Sequence, residues 1–174
     1  LKRSRELGVS MTVFLTAVFL KAIHEEMSKM QEKKPIVLMV PVNLRKFFPS
    51  TSMLNFFNWI EPGYDFQSGT EALRRYLDIP KIFFEEQLTK EKMSAHINDL
   101  LALELHPILR LATIGTENLC IHAGAKISEK NTTAIFSNMS AVRMPDSYVP
   151  YIETLWCCLP ITPKLELCLC SFED

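Results

Sequence analysis

The segment Ile36–Val42 reads IVLMVPV, an unbroken apolar run rich in β-branched residues. A strand with one wet face alternates apolar and polar side chains. An uninterrupted run needs cover on both faces, so a central strand is expected here. Pro35 closes whatever precedes it. Pro41 lies inside the run, and proline cannot donate to a ladder, so the strand is expected to end or bulge there. Upstream, Ser10 follows Gly8-Val9 and can cap a helix running from about Met11 to about Met30. The first half of that helix, MTVFLTAVFLKAI, is apolar almost all round and calls for burial on several sides. Its second half, HEEMSKMQEKK, is polar and reads as solvated.

The remaining chain alternates between the two periods. Arg45–Ser52 is a loop, with Pro49-Ser50-Thr51-Ser52 as turn material. Asn55–Ile60 reads as a second strand closed by Pro62-Gly63. Leu73, Tyr76 and Leu77 make a short amphipathic helix, expected to break near Pro80. Met93, Ile97, Leu100, Leu101 and Leu105 form the clearest helical stripe. Pro107 opens a further helical segment, irregular around Gly115. Thr132–Met139, Thr154–Leu159 and Lys164–Phe172 read as strands, with Pro145–Tyr151 as a turn region. Strands joined by long helical crossovers imply a two-layer α+β domain, a mixed β-sheet flanked by helices, spanning residues 1–174. Both ends read as cut: LKRSRELG is the tail of a helix without a start signal, and LELCLCSFED stops inside or just after a strand pattern.

Charge and cysteine usage exclude several classes. Nineteen basic against twenty acidic residues give a net charge of −1, without the basic excess of a nucleic-acid footprint. Lys2, Arg3 and Arg5 read as a solvated helix face rather than a phosphate site. The longest apolar run, Val13–Leu20, is too short to span a bilayer, and no secretory signal opens the sequence. The five cysteines, Cys120, Cys157, Cys158, Cys168 and Cys170, are odd in number and contain no C-x-x-C pair. Buried free thiols in a reducing, cytoplasmic setting are expected, with Cys168 and Cys170 on one strand face.

Simple catalytic signatures are absent: there is no G-x-S-x-G, no phosphate-binding G-x-x-x-x-G-K-[ST] and no G-x-G-x-x-G. The four histidines, His24, His96, His106 and His122, are isolated, and none has zinc-site spacing. His24, before Glu25-Glu26, is expected on a solvated helix face, and His96 on the surface. Polar residues within apolar strands are more informative. Asn43 and Arg45 directly follow the buried run, Asn55 and Asn58 bracket Phe56-Phe57, and Ser137, Asn138 and Ser140 punctuate AIFSNMSAV. A buried amide or hydroxyl without a partner costs about 1–3 kcal/mol. Each therefore either satisfies backbone or lines a polar cavity, and their position at strand ends suits a cleft.

The block VPVNLRKFFPSTSMLNFF resembles a segment of alcohol acetyltransferase-like and condensation-domain-like proteins, members of the chloramphenicol acetyltransferase-like superfamily. There it reads Pro-Val-Asn-Leu-Arg, a Pro-Ser turn, then Asn-Phe-Phe. The Ser137-Asn138 strand, the Met144-Pro145 turn, Tyr151-Ile152-Glu153 and the preceding HPILRL are similar too. The resemblance covers most of the chain through the order and spacing of these blocks. It implies the C-terminal lobe of a two-lobed acyltransferase, whose tunnel runs between lobes and whose donor is acyl-CoA or a carrier-bound thioester. No cofactor is implied. By this resemblance Ser137 and Asn138 would line the tunnel and hydrogen-bond substrate or a developing oxyanion, while Asn43 and Arg45 would support loops near the site; Arg45 could equally pair with a carboxylate. Such families carry a His-His-x-x-x-Asp motif in their first half. No His-His pair occurs in these 174 residues, so the expected partner is an N-terminal lobe supplying the general base. A lobe without its mate would expose an apolar face and self-associate. The competing expectations are a non-catalytic scaffold module that keeps the fold, and a binder of an apolar ligand using the Phe- and Met-rich interior.

Overall fold

The computed structural model describes residues 2–66, 73–105, 131–142, 144–155, 157–159 and 164–172. The chain has an α+β fold, a mixed five-stranded sheet flanked by helices. In chain order the elements are α1 (Lys2–Glu6), α2 (Met11–Glu26), β1 (Ile36–Asn43), β2 (Phe57–Ile60), β3 (Gly63–Tyr64), α3 (Leu73–Gln87), α4 (Lys90–Glu104), β4 (Ala134–Val142) and β5 (Leu165–Phe172). Single turns of 3₁₀-helix follow α2 and β1 and cover Val149–Tyr151.

The apolar run becomes the central strand. β1 pairs antiparallel with β2 and β3 on one side and parallel with β4 on the other, and β4 pairs parallel with β5. Alternation fixes the faces. Ile36, Leu38 and Val40 of β1 are buried beside Ala134 and Phe136 of β4. α2 packs on this face, its stripe Val13, Thr16, Ala17 and Leu20 buried and Phe19 set against Phe136 with ring centroids 6.1 Å apart. Val18, on the outer side of the same helix, is exposed, so the cover is wide but not complete. α3 packs on α2 and adds Tyr76, Leu77 and Phe84 to the core. Among the described residues, two buried polar atoms, Thr16 Oγ1 and Asn58 Nδ2, have no hydrogen-bond partner.

Pro41 does not end β1. Leu38 N–H donates to Pro62 O and Leu44 N–H to Phe56 O, so even-numbered residues of β1 address the β2–β3 side. Odd-numbered residues address β4, where Val37 N–H donates to Thr133 Oγ1 and Val37 O accepts from Thr133 N–H. The missing donor of Pro41 therefore faces β4. The β1–β4 ladder comprises only Leu38–Ala134 and Met39–Ile135, so no donor is needed at Pro41. The strand tolerates proline because its neighbour has already departed.

Other expectations also shift. Pro80 lies inside α3, buried, rather than breaking the helix. It removes one helical bond and crowds a preceding carbonyl, a penalty of about 3 kcal/mol. Burial of Tyr76, Leu77 and Phe84 around it offsets that cost. α2 stops at Glu26, because Met27 adopts extended backbone, and a 3₁₀ turn at Gln31–Lys33 replaces the expected last helical turns. Of the α4 stripe, Met93 is buried and Ile97 half-buried, whereas Leu100, Leu101 and Leu105 are exposed. Thr154, Leu155 and Cys157–Leu159 are irregular rather than a strand. The segment from Pro107 through Gly115, with His106, Cys120 and His122, lies outside the described residues. No helix among the described residues is long and apolar enough to cross a membrane.

Candidate functional site

The early end of the β1–β4 ladder divides the sheet. Beyond Met39–Ile135, β1 pairs only with β2 and β4 only with β5. The two parallel strands part here towards their carboxyl ends, the place where open α/β sheets bind ligands. All four residues expected at the site lie on its two sides.

Asn43 and Arg45 stand on the β1 side, both exposed. Asn43 Oδ1 accepts from Arg45 N–H at 3.0 Å, capping the 3₁₀ turn that follows the strand. Arg45 Nη2 donates to the carbonyls of Ser52 and Leu54, at 2.7 and 2.8 Å. Its guanidinium also lies 5.8 Å from the centre of the Phe56 ring. The arginine thus closes its own loop onto β2 through carbonyl oxygens rather than a carboxylate.

Ser137 and Asn138 stand on the β4 side, but on opposite faces, as neighbours in a strand must. Asn138 shares the α2 face with Phe136. Its Nδ2 donates to Thr12 Oγ1 in the first turn of α2 at 3.1 Å, and its Oδ1 accepts from Ser140 N–H at 3.0 Å. The second bond spans a bulge, where the β4–β5 register slips between Asn138 and Ser140 and Ser140 takes a left-handed φ of 60°. That conformation costs a side-chain-bearing residue about 1–2 kcal/mol, and the Asn138 amide holds it in place. Ser137 is half-buried on the reverse face, alongside Cys168.

The Thr12–Asn138 bond also brings the start of α2 to the carboxyl half of β4. Ser10 Oγ caps that helix by accepting from Val13 N–H at 3.2 Å. The positive end of a sixteen-residue helix therefore lies beside the carboxyl end of β4.

The opposite, amino end of the sheet carries an open groove of about 930 Å³. Phe19 and Ile23 of α2 and Met27 just after it form one wall, Pro35, Val37 and Leu165 the other, with Glu26, Gln31 and Lys34 at the rim.

His24 is the residue whose environment the sequence concealed. It is not on a solvated face: its ring lies 4.2 Å from that of Phe66, and its side chain is 16% exposed. Nδ1 is hydrogen-bonded to the Tyr76 hydroxyl, and Nε2 lies 3.4 Å from Glu32. Tyr76 is buried and stacks on Tyr64 at 4.4 Å. Both ring nitrogens thus face polar neighbours, and the cluster joins α2, α3 and the turn after α2. The separation of fifty-two residues between His24 and Tyr76 is why no local pattern could reveal it. His96 is half-buried, edge-on to Trp59 at 5.2 Å.

Among the described residues, no group of three or more His, Cys, Asp or Glu is arranged to hold a metal ion. The fold defines a class, an α+β chain with a mixed five-stranded sheet flanked by helices. No family model, curated protein or solved structure matches the chain.

Proposed function

We propose that this chain is the C-terminal lobe of a thioester-dependent O- or N-acyltransferase of the chloramphenicol acetyltransferase-like kind, working in the cytoplasm on acyl-CoA or a carrier-bound acyl chain. The observation that carries this reading is the parting of β1 and β4 after Met39–Ile135, with Asn43 and Arg45 on one side and Ser137 and Asn138 on the other. In this reading the crevice takes the polar, reacting part of the substrate. The Asn138 amide and the first turn of α2 supply donors and positive potential to oxygen that gains charge during acyl transfer. The rigid Arg45 loop shapes the rim. The open apolar groove at the amino end suits a wall completed by the other lobe.

The general base would come from that N-terminal lobe, where such families carry their His-His-x-x-x-Asp motif. The reaction is then an attack by a substrate hydroxyl or amine on the thioester carbonyl, with the base removing its proton and the acyl C–S bond breaking to release the CoA or carrier thiol, which takes up that proton.

A second reading, a scaffold module that has kept the fold without the chemistry, draws on a specific fact. Asn43, Arg45 and Asn138 all have structural partners within the chain. Assay of the chain joined to its natural N-terminal extension, against the chain alone, separates the two. With a panel of acyl-CoA thioesters, thiol release only by the extended protein is the expected result. No release by either, with a degenerate histidine motif upstream, would leave the scaffold.

A further inference from the structure

Three sulfur atoms meet where the irregular segment around Cys157 crosses the carboxyl half of the β4–β5 pair. Cys157 Sγ lies 3.4 Å from Cys170 Sγ and 3.7 Å from Met139 Sδ. Met139 is the residue that the β4 bulge leaves over between Asn138 and Ser140, so the bulge is what aims its thioether at the thiols. Cys157 and Met139 are exposed and Cys170 is half-buried, which leaves the cluster accessible from solvent.

We propose that Cys157, Cys170 and Met139 form a binding site for a soft monovalent metal ion, copper(I). Thiolate and thioether ligands select copper(I) over hard cations. Metal–sulfur bonds of about 2.3 Å place the sulfurs of a three-coordinate shell roughly 4 Å apart, a little beyond the two separations seen here. An oxygen-preferring ion such as magnesium or calcium is poorly matched to thiol and thioether ligands, and only two of the three ligands can carry charge. Binding proceeds with balanced charge: copper(I) adds to two thiolates and one thioether sulfur, and both thiol protons leave to solvent.

The Cys157 S–H donates to Cys170 at 3.4 Å. The site is remote from the groove: Leu165 and Cys170 are separated along β5 by roughly 16 Å at the usual rise per strand residue.

The test is an anaerobic titration of the reduced 174-residue chain with copper(I) in competition with a chromogenic chelator, monitoring proton release and thiolate-to-copper absorbance. An equimolar high-affinity step with release of both thiol protons is expected. That step should be lost in Cys157→Ser and in Cys170→Ser, weakened in Met139→Leu, and kept in Cys158→Ser. Circular dichroism identifies any variant that fails to fold, and Met139→Leu then decides, since it conserves volume and removes only the sulfur ligand. Equal binding by wild type and Met139→Leu would overturn the proposal. So would equal loss in Cys158→Ser, or a disulfide mass between Cys157 and Cys170 with no copper retained.

Discussion

The two ends of the sheet are built from different materials. At the amino end β1 and β4 are laddered together, the exposed lining is largely apolar, and the space is an open groove of about 930 Å³. At the carboxyl end the same strands have parted, and the gap is flanked by amides, a guanidinium and a helix start. The amino end offers area without direction. The carboxyl end offers donors with fixed direction, each held by a second residue. Chemistry that stabilises a developing charge needs the latter, so the proposed reacting end is the carboxyl one, although the groove lies at the other end.

The largest effect should come from the hinge between the two ends. Phe136 is fully buried, directly after the last β1–β4 pair, and packs on Phe19. Phe136→Ala is expected to cost about 3–5 kcal/mol, read from urea denaturation. A cost near that of a surface substitution would mean that α2 is not anchored there. Next comes Asn138→Ala, which removes the Thr12 bond and the hold on the bulge together. A loss of about 1–3 kcal/mol is expected, and amide exchange should quicken in the first turn of α2 and at Ser140 while the groove residues stay unchanged. Equal change at both ends would erase the distinction drawn above.

A smaller loss is expected from Arg45→Lys. One ammonium cannot reproduce the paired guanidinium contacts to Ser52 and Leu54. Proteolytic nicking between Lys46 and Leu54 should rise while global unfolding moves little. The smallest effect has the opposite sign. Ser140→Gly relieves the left-handed strain and is expected to stabilise the chain by up to about 1 kcal/mol, measured as a rise in melting temperature.

How much of this was legible in the sequence depends on the range of the interaction. The central strand could be read because an unbroken apolar run has one physical solution, and the start of α2 because Ser10 caps it locally. Asn43 and Arg45 could be read as loop supports, since their partners lie within nine residues. The passage of β1 through Pro41 could not, because tolerance depends on where β4, nearly a hundred residues away in sequence, stops pairing. The opposite facing of Ser137 and Asn138 follows from strand geometry alone. The fold decides which of them meets α2. His24 was misread as solvated because its helix turn is polar, and its partners come from α3 and the turn after α2. The cysteines were expected to be buried. Those described are free as expected, but Cys157 and Cys158 are exposed and Cys168 and Cys170 only half-buried.

The most direct test is a ¹H–¹⁵N NMR titration of the chain with acyl-CoA. If the parted strands form the binding crevice, amide shifts will concentrate at Asn43–Arg45, Thr12 and Ser137–Ser140, and will disappear in Asn138→Ala. Shifts confined to the groove around Phe19, Ile23 and Leu165, or none at saturating ligand, would contradict it.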